Sequence, residues 1–328
     1  MRILVTSKSF GQYNASAIEC LEKQGFEVVR SDTANPSVED IRRQIKGFDV
    51  LVVGNDTVDA SIIDTADRLK LIHMHGTGVD AIDVEAATGK GIYVANVQGA
   101  NRNAVAELTV LLMLALGRQL IPHADLLKAG EWKRGAGHEV SNSVVGIIGM
   151  GYIGRRVTEL LAGFNVSIIT YDPFVDPAWA SKHKVSYLPD YNAVFAQADW
   201  VILSLPLNDE TRHLVNNNTL SMMKKSAYLI NTARGGLVDE DALCRAVREK
   251  RIAGAALDTF IDEPPAMDSP LRSCGIMMTP HIGATSVETA ALVSQNVADN
   301  IIDVMIHKNI KAVINAEKIQ SFSGGNHD

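Results

Sequence analysis

The chain has 328 residues, 46% of them hydrophobic and 21% charged, and a formal net charge of -7 at pH 7. That length exceeds what one hydrophobic core usually fills, so two domains are expected. The acidic balance argues against a nucleic-acid or anionic-membrane partner, both of which need a basic face, while a local basic pocket for a small anion stays compatible with it.

Residues 1–6 read as a first strand, because polar residues arrive too early for a signal peptide. Strand-type runs follow over 3–5, 27–30, 50–53, 71–74 and 93–95, separated by helix-periodic segments near 15–24, 38–46, 60–66 and 84–90. Gly25 and Gly91 stand where the preceding helices need a left-handed last residue. Strands alternating with helices predict βαβ units and a parallel sheet. The apolar stretch 108–116, bounded by Glu107 and Arg118, is too short for a membrane span and reads as a buried core helix. The segment 101–129 is expected to form one long helix joining two such units.

The pattern restarts at Val144. The run Val144-Val145-Gly146-Ile147-Ile148 flows into Gly149-Met150-Gly151-Tyr152-Ile153-Gly154, which opens a helix over 152–161. Gly149 permits a tight turn out of the strand, and Gly151 lets backbone approach a pyrophosphate. Gly154 lets the helix lie against the strand, so that N–H groups and the positive dipole end around Tyr152 and Ile153 meet the phosphates. A second strand over 166–171 leads to Asp172, 18 residues past Gly154. A carboxylate there accepts both ribose hydroxyls of NAD and repels the 2′-phosphate of NADP; the plainer alternative is a turn residue before Pro173. Strand, glycines, helix, strand and acid in this order predict a bound dinucleotide, NAD rather than NADP. Further strands over 201–205, 228–231, 254–257 and 276–278 complete the second unit. The expected fold class is α/β, with two doubly wound parallel sheets of Rossmann or flavodoxin type and a cleft between them.

Three later segments do not look like scaffold. Asn231-Thr232-Ala233-Arg234-Gly235-Gly236 follows a strand, which puts Arg234 at the carboxyl edge of a parallel sheet, where such folds bind ligands. A guanidinium there clamps a carboxylate with two hydrogen bonds. In the run from Asp258 to Pro265, the double proline fixes where Glu263 points. Thr279-Pro280-His281-Ile282-Gly283 ends another strand. A lone histidine is more often structural than catalytic, but this one shares its sheet edge with Arg234 and Glu263. Reduction of a 2-oxo acid needs a cation on the carboxylate, a proton donor at the carbonyl oxygen and a hydride. Histidine titrates near neutrality, and a carboxylate on its other ring nitrogen favours imidazolium. Cys20, Cys244 and Cys274 lack metal-type spacing, so no metal is expected; reduced, mostly buried thiols suggest a cytoplasmic protein.

These motifs, together with Gly76-Thr77-Gly78-Val79-Asp80-Ala81-Ile82-Asp83 and Asn101-Arg102-Asn103-Ala104-Val105-Ala106-Glu107, resemble the D-isomer-specific 2-hydroxyacid dehydrogenases over nearly the whole chain. Within that family the likeness is greatest to 3-phosphoglycerate dehydrogenases. It implies an NAD-dependent oxidoreductase in which Arg234 binds the substrate carboxylate and carbonyl, His281 is the acid/base, and Glu263 pairs with His281. Asp258 would meet the nicotinamide amide, with Ala233 and Gly283 lining that ring and Thr232 beside them. Leu205, Pro206 and Thr211 would flank the adenosine half. Gly76, Thr77, Gly78 and Asn101 would line the substrate pocket. The resemblance also implies a discontinuous substrate domain, 1–99 plus 285–318, around an NAD-binding domain at 100–284. A homodimer and a cleft that closes on substrate are implied as well. Residues 319–328 read as a flexible tail.

Two features depart from the family pattern. Phosphoglycerate dehydrogenases usually carry an arginine after the third strand. Here Val52-Val53-Gly54-Asn55-Asp56 holds no cation and adds an acid, a change on the order of 1–3 kcal/mol against a phosphorylated substrate. The likeness stops near Ala316-Glu317, so no carboxy-terminal regulatory domain, and no feedback through one, is expected. The alternatives are a hydroxypyruvate or glyoxylate reductase of the same family and, in a different class, an NADH-sensing corepressor-like binding protein.

Overall fold

The structure, a computed structural model, describes residues 1–324. The chain divides into one unit formed by Met1–Asn101 together with the segment from Thr285 onward, and a second formed by Arg102–Ala284.

The first unit holds five parallel strands, β1 (Arg2–Val5), β2 (Glu27–Arg30), β3 (Val50–Val53), β4 (Leu71–Met74) and β5 (Tyr93–Ala95), in the order β2-β1-β3-β4-β5. This is the flavodoxin-type doubly wound order. All four residues of β3 and of β4 are buried, as expected of strands covered on both faces. Alternation divides the side chains between two cores. Ile3, Val5, Val50 and Val52 pack with Phe10, Leu21 and with Val297, Ala298 and Ile301 of the helix Val287–Ile302. Leu4, Leu51, Val53 and Ile72 face Ile41, Ile62 and Ile63 on the other side. The late helix is thus a layer of the first sheet, which explains why the second sheet has no place for it. Gly25 and Gly91 adopt φ of 81° and 69° after their helices, the left-handed ending expected for them.

The second unit holds seven parallel strands, β6 (Val144–Ile148), β7 (Ser167–Tyr171), β8 (Val185–Tyr187), β9 (Trp200–Leu203), β10 (Tyr228–Asn231), β11 (Gly254–Leu257) and β12 (Met277–Met278). Their order, β12-β11-β10-β9-β6-β7-β8, reverses between β6 and β9, and ligands bind at the carboxyl ends beside such a switch. The expected α/β class with two parallel doubly wound sheets is the observed one.

Three sequence expectations need correction. The single helix over 101–129 is two, Arg102–Gly117 and Leu120–Lys128, meeting at 62°. Pro122 lies in the first turn of the second helix, where its missing N–H costs nothing; inside one continuous helix it would break a bond and clash with the preceding turn. Gln119, at φ 50°, makes the break. The edge strand β8 and its flanking helices Pro177–His183 and Tyr191–Gln197 were not expected. Three residues are too short for periodicity to register, although Asp176-Pro177 and Asp190 are ordinary helix-start signals. Finally, residues 319–324 of the expected tail continue the helix Ala316–Gly324, anchored by the buried Ala316 and Ile319; 325–328 lie outside the described residues. Among the described residues no single helix is long and apolar enough to cross a membrane.

Candidate active site

Three loops leave adjacent parallel strands of the second unit on the same edge. After β10, the fully buried Asn231 makes a side-chain turn. Its Oδ1 accepts from the Ala233 N–H at 3.0 Å, and its Nδ2 donates to the Arg234 carbonyl at 2.8 Å. The Thr232 hydroxyl meets that of Thr109 at 2.8 Å, which pins the same loop to the helix Arg102–Gly117. Arg234 is half-buried, with one Nη donating to the Ala233 carbonyl. Neither Asn231 nor Thr109 was singled out from the sequence. The only available signal was an asparagine at a strand end ahead of a tight turn.

After β11 comes Asp258, with no exposed surface. Its Oδ1 accepts from the Thr279 hydroxyl at 2.6 Å and the Ile282 N–H at 2.9 Å, and its Oδ2 from the Gly283 N–H at 2.8 Å. These bonds lie on both sides of His281 in the chain and fold the 279–283 turn around it. His281 takes φ 50°, a left-handed conformation that costs a non-glycine residue about 1–2 kcal/mol and therefore needs such support. Asp258, expected beside the nicotinamide amide, here directs both oxygens to the histidine turn.

The third contact joins the loops. The Nδ1 of His281 lies 2.6 Å from Oε2 of Glu263, and Oε1 of Glu263 accepts from the Phe260 N–H at 3.0 Å. A carboxylate only accepts, so Nδ1 carries the hydrogen and Nε2 is left to exchange a proton. Nε2 has no hydrogen-bond partner among the described residues. The Glu263 bond holds the imidazole above its ordinary range, outweighing burial, which acts the other way. Burial pushes the Glu263 carboxyl up, but the His281 bond, the Phe260 N–H and the charges of His281 and Arg234 together hold it below the usual range. The Arg234 charge bears on both partners. Arg234, Glu263 and His281, separate in the chain, thus act within one electrostatic neighbourhood.

The glycine fingerprint lies at the carboxyl end of β6. Gly149, at φ 96°, runs against β9 so closely that a Cβ would sit 2.2 Å from the Ser204 carbonyl oxygen and 3.0 Å from the Leu205 side chain. Gly154 lies on the Gly149 carbonyl, where a Cβ would come within 2.3 Å. Gly151 differs: no atom stands within 4 Å of where its Cβ would be. It precedes the helix Tyr152–Leu161 without a side-chain cap, so no capping side chain occupies the first-turn N–H groups around Tyr152 and Ile153. Closed at two glycines and open at the third, this cradle fits a dinucleotide pyrophosphate. Asp172 stands at the tip of β7, accepting from the Met150 N–H at 2.6 Å and the Phe174 N–H at 2.7 Å. Thr211 closes the turn after Pro206, donating to its carbonyl at 2.8 Å.

In the first unit, the 76–78 loop follows β4. The Thr77 hydroxyl bridges the Val97 carbonyl at 3.1 Å and Asn101 Oδ1 at 3.2 Å, and the Thr77 carbonyl accepts from Asn96 Nδ2 at 2.6 Å. The Gly76 carbonyl accepts from the Val97 N–H at 2.9 Å. Gly76, Thr77 and Asn101 therefore belong to one hydrogen-bonded corner, and Gly78 is next to Thr77 in the chain.

Comparison with known proteins adds to this geometry. Residues 110–283 match the family model described as D-isomer specific 2-hydroxyacid dehydrogenase, NAD binding domain. The chain is 39% identical over 323 residues to the D-3-phosphoglycerate dehydrogenase of Methanocaldococcus jannaschii, covering 97% of this chain and 60% of that protein. It is 35% identical over 295 residues to the glyoxylate reductase of Thermofilum pendens, covering 87% of this chain and 86% of the relative. The crystal structure of the TT0316 protein from Thermus thermophilus superposes with a TM-score of 0.86 at 30% identity, covering 96% of this chain and 100% of that one. The chain thus spans somewhat under two thirds of the length of the phosphoglycerate dehydrogenases it matches.

Proposed function

The chain belongs to the D-isomer specific 2-hydroxyacid dehydrogenase family, and from that premise we propose that it is an NAD-dependent oxidoreductase interconverting a D-2-hydroxy acid and its 2-oxo acid. The observation that carries this reading is the His281–Glu263 pair at 2.6 Å, with Nε2 of the imidazole unpartnered among the described residues.

The unit Arg102–Ala284 is the NAD-binding domain in this reading, and the unit built from Met1–Asn101 and the segment from Thr285 is the substrate domain. Gly149, Gly151, Tyr152, Ile153 and Gly154 would hold the pyrophosphate, with Asp172 on the ribose and Leu205, Pro206 and Thr211 along the adenosine half. Thr232, Ala233, Asp258 and Gly283 would border the nicotinamide. Bound NADH supplies the hydride for reduction, and NAD accepts it in the reverse direction.

The chain's own residues supply the rest. Arg234 clamps the substrate carboxylate and draws electron density toward the carbonyl oxygen. Within the first unit, the Gly76-Thr77-Gly78 loop, with Asn101, would offer donors of its own to a carboxylate. His281 Nε2 gives its proton to the carbonyl oxygen as that oxygen gains charge, and takes it back from the hydroxyl in the oxidative direction. Glu263 fixes the ring through Nδ1 and stabilises the imidazolium. Asp258 holds the turn that aims it.

Five large apolar side chains, Leu111, Leu120, Ile121, Leu127 and Trp132, are 50–81% exposed along the two bent helices and the segment after them. They support a homodimer through the nucleotide-binding unit. Three free cysteines suit a cytoplasmic protein. A substituted His281→Ala enzyme tests the reading: turnover of 2-oxo acids should fall by roughly 10²–10⁴ while NADH binding, followed by its fluorescence, stays intact. Turnover kept within about tenfold removes His281 as the acid/base.

A further inference from the structure

We propose that Asp56 sets the substrate class, turning away 2-oxo acids with an anionic tail and accepting a hydrogen bond from those whose tail carries a hydroxyl. The inference rests on the dehydrogenase reading above and specifies what lies beyond C2 of its substrate.

The first sheet reverses winding between β1 and β3, and the carboxyl ends of these strands are the ligand-binding edge of such a sheet. Two loops run side by side there. The His75 N–H donates to the Val53 carbonyl at 2.7 Å where the strands end, and the Val58 N–H donates to the Ala81 carbonyl at 2.8 Å where the loops end. Between these two ties lie 54–57 on one loop and the Gly76-Thr77-Gly78 corner on the other. On the opposite flank Thr6 continues β1, its N–H donating to the Val52 carbonyl at 2.9 Å.

Asp56 stands between the two flanks, half-buried. Its Oδ2 accepts from the Thr6 hydroxyl at 2.6 Å and the Gly54 N–H at 3.2 Å. These two donors fix the carboxylate, while Oδ1 has no partner among the described residues. No lysine or arginine pairs with it among those residues. Arg30, from the end of β2, directs its guanidinium instead to the carbonyls of Ser7 and Phe10. A held carboxylate with one open oxygen beside a carboxylate-binding loop repels a phosphate or second carboxylate on the same ligand, and accepts from a hydroxyl.

The test is the ratio of kcat/KM for 3-phosphohydroxypyruvate to that for hydroxypyruvate, with glyoxylate as the tail-less control. The unaltered protein should favour hydroxypyruvate by at least about tenfold. Asp56→Asn keeps an oxygen for Thr6 and Gly54 but removes the charge, and should raise the ratio by about tenfold or more. A wild-type ratio above one, or a ratio that Asp56→Asn leaves unchanged, overturns the proposal; the first outcome decides even where the variant fails to fold. Failure to turn over any of the three compounds, glyoxylate included, would instead bring down the dehydrogenase reading and this one with it.

Discussion

Gly235 rests directly on the backbone of Phe260: a Cβ on the glycine would lie 1.9 Å from the Phe260 carbonyl carbon and 2.5 Å from the Ile261 nitrogen. Gly235 follows Arg234, and the Phe260 N–H holds Glu263. The contact therefore sets the arginine loop in register with the loop that orients the histidine partner. Both sides of the clash are backbone, so no side-chain rotation relieves it.

Gly235→Ala should separate the two loops. Overpacking of this kind costs about 1–3 kcal/mol of stability, and kcat/KM should drop by more than tenfold at temperatures where the variant is still folded. Gly163→Ala is the control, since no atom lies within 4 Å of its added Cβ. Thermal melts and steady-state kinetics on both variants check the expectation. A Gly235→Ala enzyme as active as the control would mean that the two loops move independently.

The His281–Glu263 pair predicts a pH dependence whose sign follows from its two displaced groups. The histidine is raised in the fold, so its contribution is complete below pH ~6.5 and is lost as pH climbs through the raised value. The glutamate is lowered, so its contribution is present above pH ~4.5 and lost as pH falls through the lowered value. The pair is therefore firmest between these limits. Reduction, which needs the imidazolium, should decline on the alkaline side of the raised histidine value. Glu263→Gln removes the carboxylate that raises it, so the descending limb of the pH–rate curve for reduction should move to lower pH. An unmoved limb would assign the titration to another group.

Where periodicity and backbone chemistry were strong, the sequence was readable. The buried β-branched runs of β3 and β6, the glycine fingerprint and the left-handed Gly25 and Gly91 each have one local solution. The bend at Gln119 was missed because the apolar pattern of 102–117 continues past it, and only Pro122 spoke against a straight helix. β8 escaped because three edge residues cannot display a period. At the site, Arg234, Glu263 and His281 stood out by residue type at strand ends. Asn231 and Asp258 are different: their importance lies in backbone donors and acceptors from distant segments, which no sequence spacing reveals. The late helix Val287–Ile302 was ambiguous for a similar reason, since an amphipathic face does not say which sheet it will cover.

A second titration lies in the first unit. His73, fully buried, donates from Nδ1 to the Met74 carbonyl at 2.9 Å and accepts at Nε2 from Asn300 at 3.2 Å. His75 sits between the hydroxyls of Ser9 at 3.1 Å and Ser294 at 3.0 Å. Burial lowers both, each to about 4. A depressed histidine favours the fold at pH above ~6.5, and that advantage disappears as pH falls toward 4, by at most about 3 kcal/mol for each ring. Urea unfolding at pH 7 and at pH 4.5 should show this loss. His75→Gln cannot titrate, so its stability should fall less steeply over the same interval, whatever its starting value. Equal slopes for variant and parent would exclude His75 as a source of acid sensitivity.

Asp172 offers the last expectation, on cofactor choice. Its carboxylate already takes the Met150 and Phe174 N–H groups, one on each oxygen. An ionised carboxylate has about four lone-pair sites, so room remains for two ribose hydroxyls, and the charge still opposes a 2′-phosphate. The two backbone bonds hold that charge in place at the tip of β7. Asp172→Ser keeps one acceptor and removes the charge, and should raise the ratio of kcat/KM for NADPH over NADH by about tenfold to a hundredfold. Most of the change should come from weaker use of NADH together with admission of NADPH, measured with one 2-oxo acid at saturation. If the ratio stays within about twofold of the parent, the aspartate is only the turn residue that its two backbone bonds would make it, and selectivity against the phosphate must come from elsewhere in the second unit.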